Sequence, residues 1–282
     1  MFGSTVSRVT RNGLVQCGLK QISMSSAKGI KKETAPCRFD GGVGGQKGKV
    51  GVVLLSGDQT LEQELSTILL PHGLGCFFSR VKMENEVTPE TLQAMKSMIS
   101  GSAGLILPEL DLDVLAYGCT SASATIGEDE VFAQLSCRQS SAAKTTPITA
   151  ALKAFSALKA QKIGLVTPYI GEVNDILIKY MENNGSWKVT NLVSFNLIRD
   201  ADVASVTMDS IKEAAVKVGE MEDVDTVFIS CTNLRTAMVV ADVEKTIGKP
   251  VTSSNMAMAW HIMRLVGVNT DMSNTYGTLF SK

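Results

Sequence analysis

Two short segments carry the residues most able to do chemistry. Asp113-Val114-Leu115-Ala116-Tyr117-Gly118-Cys119-Thr120 and Asp225-Thr226-Val227-Phe228-Ile229-Ser230-Cys231-Thr232 share one pattern: an acid, an apolar run, then Cys-Thr. A lone free cysteine is usually a small buried hydrophobe. Two thiols at matching places in like segments suggest more. If they face each other across a cleft, one thiolate can remove a proton from a carbon while the other, as thiol, returns one. Such chemistry calls for no metal, flavin or nicotinamide, so no cofactor is expected. A Cys-Thr pair that ends a strand and precedes a helix also sits at the positive end of the helix dipole. That position is expected to draw the thiol pKa down from about 8.5 toward 3.5–7.5.

The elements around the cysteines repeat as well. Lys49-Val50-Gly51-Val52-Val53-Leu54 precedes Cys119 by 70 residues, and Lys162-Ile163-Gly164-Leu165-Val166-Thr167 precedes Cys231 by 69. Downstream, Pro147-Ile148-Thr149-Ala150-Ala151 reads as the counterpart of Pro250-Val251-Thr252-Ser253-Ser254. Short apolar runs predict strands at 49–55, 74–80, 113–118, 162–167, 187–195, 225–230 and 250–253. Helical patterns fall between them. Thr60-x-x-Gln63 resembles a capping box opening a helix to about Leu70, and Thr88-Pro89 opens another. Further helices are predicted over Asp175–Glu182, Val203–Val218, Leu234–Ile247 and Met256–Leu265. The predicted fold is α/β: two pseudo-symmetric doubly wound domains, each with a parallel sheet of about four strands and the active site in the cleft between them. The expected boundaries are a leader over 1–42, a first domain over 43–160 completed by 268–282, and a second over 161–267.

Composition sets the class. The chain has 282 residues, 44% hydrophobic and 20% charged, a length that fits two modest domains. The first 32 residues hold Arg8, Arg11, Lys20, Lys28, Lys31 and Lys32 and no acid, the signature of a transit peptide. A mitochondrial matrix location is therefore expected, with plastid or cytoplasm as alternatives. Residues 41–49 read as a flexible joint. After residue 49 no basic cluster remains, which argues against nucleic acid as a partner. No apolar run is long enough to span a bilayer. The six cysteines form no Cys-x-x-Cys, and His72 and His261 are not beside any of them, so neither a disulfide framework nor a metal site is expected. Cys17, Cys37, Cys76 and Cys137 lack counterparts and read as structural. His261, on an apolar helix pattern, reads as packed. The glycines at 41–45 precede a strand, whereas phosphate-binding glycines follow one.

By these residues the chain resembles the aspartate/glutamate racemase superfamily, and most of all the branch of maleate cis-trans isomerase, arylmalonate decarboxylase and the ectoine-utilisation A proteins. The likeness covers roughly residues 49–268. It rests on Asp58-Gln59-Thr60-Leu61-Glu62, on Ala116 to Ser123 continuing to Ile126-Gly127-Glu128, and on Thr146-Pro147-Ile148-Thr149-Ala150. Thr167-Pro168-Tyr169 leading to Glu172-Val173-Asn174, Ser230-Cys231-Thr232, and Ser253-Ser254-Asn255 ahead of Ala259-Trp260-His261 complete it. The resemblance implies Cys119 and Cys231 as the catalytic pair. It implies that Thr120, Ser121, Tyr169 and Thr232 hold a substrate carboxylate. Gln59 takes the place of a substrate-contacting asparagine of the maleate isomerases, and Thr60, Asn196 and Asn255 are further binding candidates. Arylmalonate decarboxylases keep only the second cysteine, so the presence of both favours an isomerase or racemase of a small carboxylic acid. A decarboxylase or other lyase is the alternative, and a non-catalytic carboxylate-binding protein is a third. A homo-oligomer is possible on general grounds.

Overall fold

A computed structural model describes residues 35–37, 47–137 and 139–282. All of the expected leader but residues 35–37, and most of the glycine joint, lie outside the described residues, as does Cys17. The described chain forms two four-stranded parallel sheets. The first contains β1 (Gly48–Leu55), β2 (Leu74–Val81), β3 (Val114–Gly118) and β4 (Ala143–Thr145), in the order β2-β1-β3-β4. The second repeats this with β5 (Lys162–Thr167), β6 (Lys188–Ser194), β7 (Thr226–Ile229) and β8 (Val251–Ser253), in the order β6-β5-β7-β8. Helices link the strands, as parallel pairing requires. The central strands are buried along nearly their whole length, which is why they read as continuous apolar runs. The α/β class and the duplicated parallel sheets are as expected from the sequence.

The repeated acids have the same task in both halves. Asp113 Oδ2 accepts the Lys49 N–H at 2.7 Å. Asp225 Oδ2 accepts the N–H groups of Gln161 and Lys162 at 3.0 and 2.9 Å. Each acid thus ties the start of the cysteine-bearing strand to the start of the strand beside it. Both cysteines then emerge past the carboxyl ends of β3 and β7, next to the points where strand order reverses. Open parallel sheets bind ligands there.

The repeat is less regular than the sequence pattern suggests. Pro147 opens the helix α6 (Pro147–Leu158), whereas Pro250 precedes β8, so the two prolines are not structural counterparts. The counterpart of β8 is β4, whose Ala143-Lys144-Thr145 has too short an apolar pattern to be recognised. Thr146 and Ser253 are the true pair: each caps the following helix, α6 and α11 (Ser254–Leu265). These two helices cross over. α6 lies on the second sheet, with Phe155 edge-on to Phe228 and Trp187 at ring separations of 5.2 and 5.3 Å. α11 packs instead on β4 and on α1 (Leu61–Leu69) of the first half. The C-terminal segment, expected with the first domain, touches both halves: Met272 Sδ lies 3.0 Å from His72 Nε2, just ahead of β2. Thr278 donates to Glu244 Oε2 of α10 (Val240–Ile247), and the end of the chain packs on α6, α11 and β8. Among the described residues, no helix is long and apolar enough to cross a membrane.

Asp225→Ala should lower the unfolding free energy by about 1–2 kcal/mol, the scale of hydrogen bonds to a charged acceptor. Urea denaturation measures this; a change under about 0.3 kcal/mol would mean the strand clamp contributes nothing.

Candidate active site

Cys119 follows β3 directly and caps α4 (Thr120–Ile126), its sulfur accepting the Ala122 N–H at 3.4 Å. Ser121 Oγ lies 3.7 Å from the same sulfur. Gly118 is required in front of it, because a Cβ there would come within 2.4 Å of Leu61 Cδ2 in α1. Cys231 differs. No helix starts after it: residues 232–239 form turns and α10 begins only at Val240, so the predicted helix over Leu234–Ile247 is short by six residues at its start. Cys231 instead has φ +124°, a left-handed region that costs a non-glycine residue of order 1–3 kcal/mol. Its sulfur is served by the Asn233 N–H and the Tyr169 hydroxyl rather than by a helix end.

A closed pocket brings Cys119, Cys231, Thr120, Ser121, Tyr169 and Thr232 together. Much of its remaining wall is apolar, formed by Leu55, Met83, Val87, Leu92, Met95, Leu197 and Val203, and Asp58, Glu84, Glu86, Thr91 and Asp200 complete it. Four of the other residues named from the sequence lie outside it. Thr60 is buried and donates to the Asn233 carbonyl oxygen at 3.1 Å, and its side chain does not cap α1; Asp58 accepts the first N–H groups instead. Gln59 is exposed beside an adjoining groove and reaches the second half only through its backbone N–H, given to Asn233 Oδ1 at 2.8 Å. Asn196 is exposed on a turn with φ +52°. Asn255 is fully buried and donates to Glu64 Oε2 and to the Thr232 carbonyl oxygen, so it braces the site from behind. His261 hydrogen-bonds Thr145 through Nδ1, as a packed histidine does.

Several residues that matter were not singled out from the sequence. Ser254 Oγ lies 2.8 Å from Thr120 Oγ1 and accepts the Cys231 N–H at 3.0 Å, joining the two cysteine loops through one hydroxyl. Asn233 donates to Asp200 Oδ2 at 2.9 Å. Glu64, half-buried on α1, accepts the N–H groups of Thr236 and Ala237 at 2.7 and 2.9 Å and holds the loop that follows Cys231. The Ser253-Ser254 doublet before a helix was the only available signal for Ser254. Asp200 and Asn233 had none, since their partners are more than 30 residues away.

The electrostatics reverse one expectation. Burial raises the Cys119 thiol to about 12, against the donated N–H of Ala122, and the charge of Asp200 adds to the rise. Burial also raises Cys231, with Asp200 again contributing and the Asn233 and Tyr169 donors opposing. The helix-end effect at Cys119 is real but smaller than the loss of water. Tyr169 is pushed well above its ordinary value by burial and by both sulfurs. Asp200 is raised to about 6 by burial and by the neighbouring Asp58, with Asn233 opposing. Burial raises Asp58 too, against N–H groups from Leu61 and Thr60, the Thr232 hydroxyl and Arg80.

Two segments close the mouth. Val87 N–H donates to the Ile198 carbonyl oxygen at 2.8 Å, and Asp200 N–H to that of Asn85 at 3.2 Å, with Glu86 and Arg199 paired antiparallel between them.

Two like parallel α/β halves with a thiol from each in one shared pocket define the class of protein. A family profile for arylmalonate decarboxylase matches residues 114–280, more than half the chain. The chain belongs to that family. It is 26% identical over 226 residues to the maleate isomerase of Nocardia farcinica, covering 77% of this chain and 89% of that one. It is 31% identical over 139 residues to the arylmalonate decarboxylase of Bordetella bronchiseptica, covering 49% and 58%. The fold matches the solved Nocardia farcinica maleate cis-trans isomerase with a TM-score of 0.74 at 24% identity, covering 83% of this chain and 97% of that one. The branch suggested by the sequence motifs is thus the right one.

Two measurements probe the site. In the ligand-free protein, iodoacetamide should alkylate Cys119 about tenfold faster per pH unit up to at least ~pH 10, because only the thiolate reacts. A plateau near neutrality would show that the thiol is not raised. Asp200 has a folded-state value of about 6, above the ordinary 3.8, so its contribution to stability is full below about pH 4 and is lost as pH rises through 6. Asp200→Asn should therefore stabilise the fold by roughly 1–3 kcal/mol at pH 8 and hardly at all at pH 4. Urea curves at the two pH values test it; equal effects at both would refute it.

Proposed function

We propose that this chain isomerises or racemises a small carboxylic acid, with Cys119 and Cys231 as its reacting groups and without a cofactor. The observation that carries this is the placement of both buried thiols in one pocket beside Tyr169, Thr120, Ser121 and Thr232. These hydroxyls and the N–H groups at the start of α4 offer donors to a carboxylate. A carboxylate so held can accept the electron pair left when a neighbouring C–H proton goes to one thiolate, forming an enediolate. The opposing thiol then gives its proton to the other face of that carbon, and the thiol and thiolate exchange places. For an alkene acid the same pair works differently. One sulfur adds to a double-bond carbon as the other thiol protonates its neighbour; the new single bond rotates, and the steps reverse. Tyr169 and the N–H of Asn233 lower the cost of a thiolate at Cys231, and the N–H of Ala122 does so at Cys119. The maleate isomerases among its relatives support this reading.

Decarboxylation is the second reading, favoured by the family profile and by the 31% identical relative. It would need one thiol only, to protonate the enediolate left when carbon dioxide departs.

Small mono- and dicarboxylates incubated with the full chain in deuterated water, followed by NMR, separate the two. The expected outcome is interconversion of isomers, or exchange at the carbon beside the carboxylate, without loss of carbon. Cys119→Ser and Cys231→Ser should each lose at least about 100-fold in rate. Full activity in either variant would sink the two-thiol proposal, and stoichiometric carbon dioxide release that needs only Cys231 would establish the decarboxylase.

A further inference from the structure

The pocket has a second polar region that a carboxylate-gripping role leaves unused. Asp58 and Asp200 line it together with the hydroxyl side chains, Thr232 beside Asp58, and both acids are buried, 4% and 8% exposed. Asp58 Oδ1 is spoken for by the N–H groups of Thr60 and Leu61, but Oδ2 has no hydrogen-bond partner. The Thr232 hydroxyl lies near it yet is aimed at the Gly118 carbonyl oxygen, 3.4 Å away. Asp200 Oδ2 accepts only from the Asn233 amide. Glu84 and Glu86 add two more acids at the exposed rim. Among the described residues, no lysine, arginine or histidine lines the pocket. Arg80, the cation nearest Asp58, spends its guanidinium on the Leu55 and Asp58 carbonyl oxygens and on Glu62. Arg199 is exposed and paired with Asp202.

A dicarboxylate would have to set its second negative charge in this acidic, cation-free space, where like charges at low dielectric repel strongly. An unmet buried carboxylate oxygen calls for a donor, and preferably a positive one. Resting on the two-thiol reading above, we propose that the substrate is a small amino acid, its ammonium group held by Asp200 and Asp58, its carboxylate by the hydroxyl side, and its side chain against the apolar wall. Asp200 is the residue that sets this specificity and turns away a second carboxylate. The arrangement also couples binding to activation. The charge of Asp200 helps hold both thiols in their neutral form, and an ammonium docked against it cancels that influence, so the thiolate becomes easier to form only when substrate is present.

Isothermal titration of the full chain at pH 8 with D- and L-alanine, D- and L-leucine, maleate and phenylmalonate tests this. At least one amino acid should bind ten or more times more tightly than either dicarboxylate. In Asp200→Asn, checked for native circular dichroism, that amino acid should weaken at least tenfold while maleate gains. The proposal is overturned if the unaltered protein binds maleate or phenylmalonate as tightly as the amino acids, or binds no amino acid. An unchanged order in Asp200→Asn also overturns it, and should that variant fail to fold, the order in the unaltered protein still decides. Failure here is distinguishable from failure of the two-thiol reading: the latter shows as activity retained without Cys119 or Cys231, whatever the order of ligands.

Discussion

The distance between the two thiols depends on one buried hydroxyl. Ser254, first residue of the helix that crosses from the second sheet to the first, sits within hydrogen-bonding distance of Thr120 and of the Cys231 backbone. Around it the halves are joined by neutral donors and by one half-buried carboxylate, that of Glu64. Asn233 reaches across to residues 57–60, and Glu64 reaches back to Thr236, Ala237 and Asn255. Salt bridges among the described residues are all surface pairs, which contribute little. The junction is thus directional, and directional bonds fix geometry where a greasy interface would allow sliding.

Closure of that junction explains the electrostatics. Two sulfurs, a tyrosine and two aspartates are taken from water together, and every one of them shifts toward its neutral form. A protein keeps such a group of uncomfortable side chains at some expense in stability, as active sites commonly do. Their discomfort is relieved by the right ligand, and this is the physical meaning of a preorganised site.

Duplication has been followed by divergence at the decisive place. The first thiol is carried at a helix start, where its N-cap role fixes it. The second lies on a strained turn with positive φ, and its neighbours Asn233 and Tyr169 come from different segments. The two cysteines are alike in sequence but not in environment, so they need not be alike in acidity.

Local pattern determined much of this protein. Apolar runs between turn residues revealed seven of the eight strands, the matching Asp-to-Cys segments revealed the duplicated frame, strand-end logic pointed to Cys119, Cys231 and Tyr169, and the family resemblance added Thr120, Ser121 and Thr232; the pocket brings all six together. β4 escaped notice because three residues with one half-polar face carry no periodicity. Asn196 and Asn255 lie outside that pocket, since polarity does not tell whether a side chain faces a cleft, water or a brace behind it. What only the tertiary structure decided was everything that depends on distant partners: the crossing of α6 and α11, the Ser254 hydroxyl between the loops, the acids of the pocket, and the direction of the thiol shifts. A dipole at a helix end can be inferred from neighbours in sequence. The amount of water excluded around a sulfur is set by segments far along the chain, and here exclusion of water outweighs the dipole.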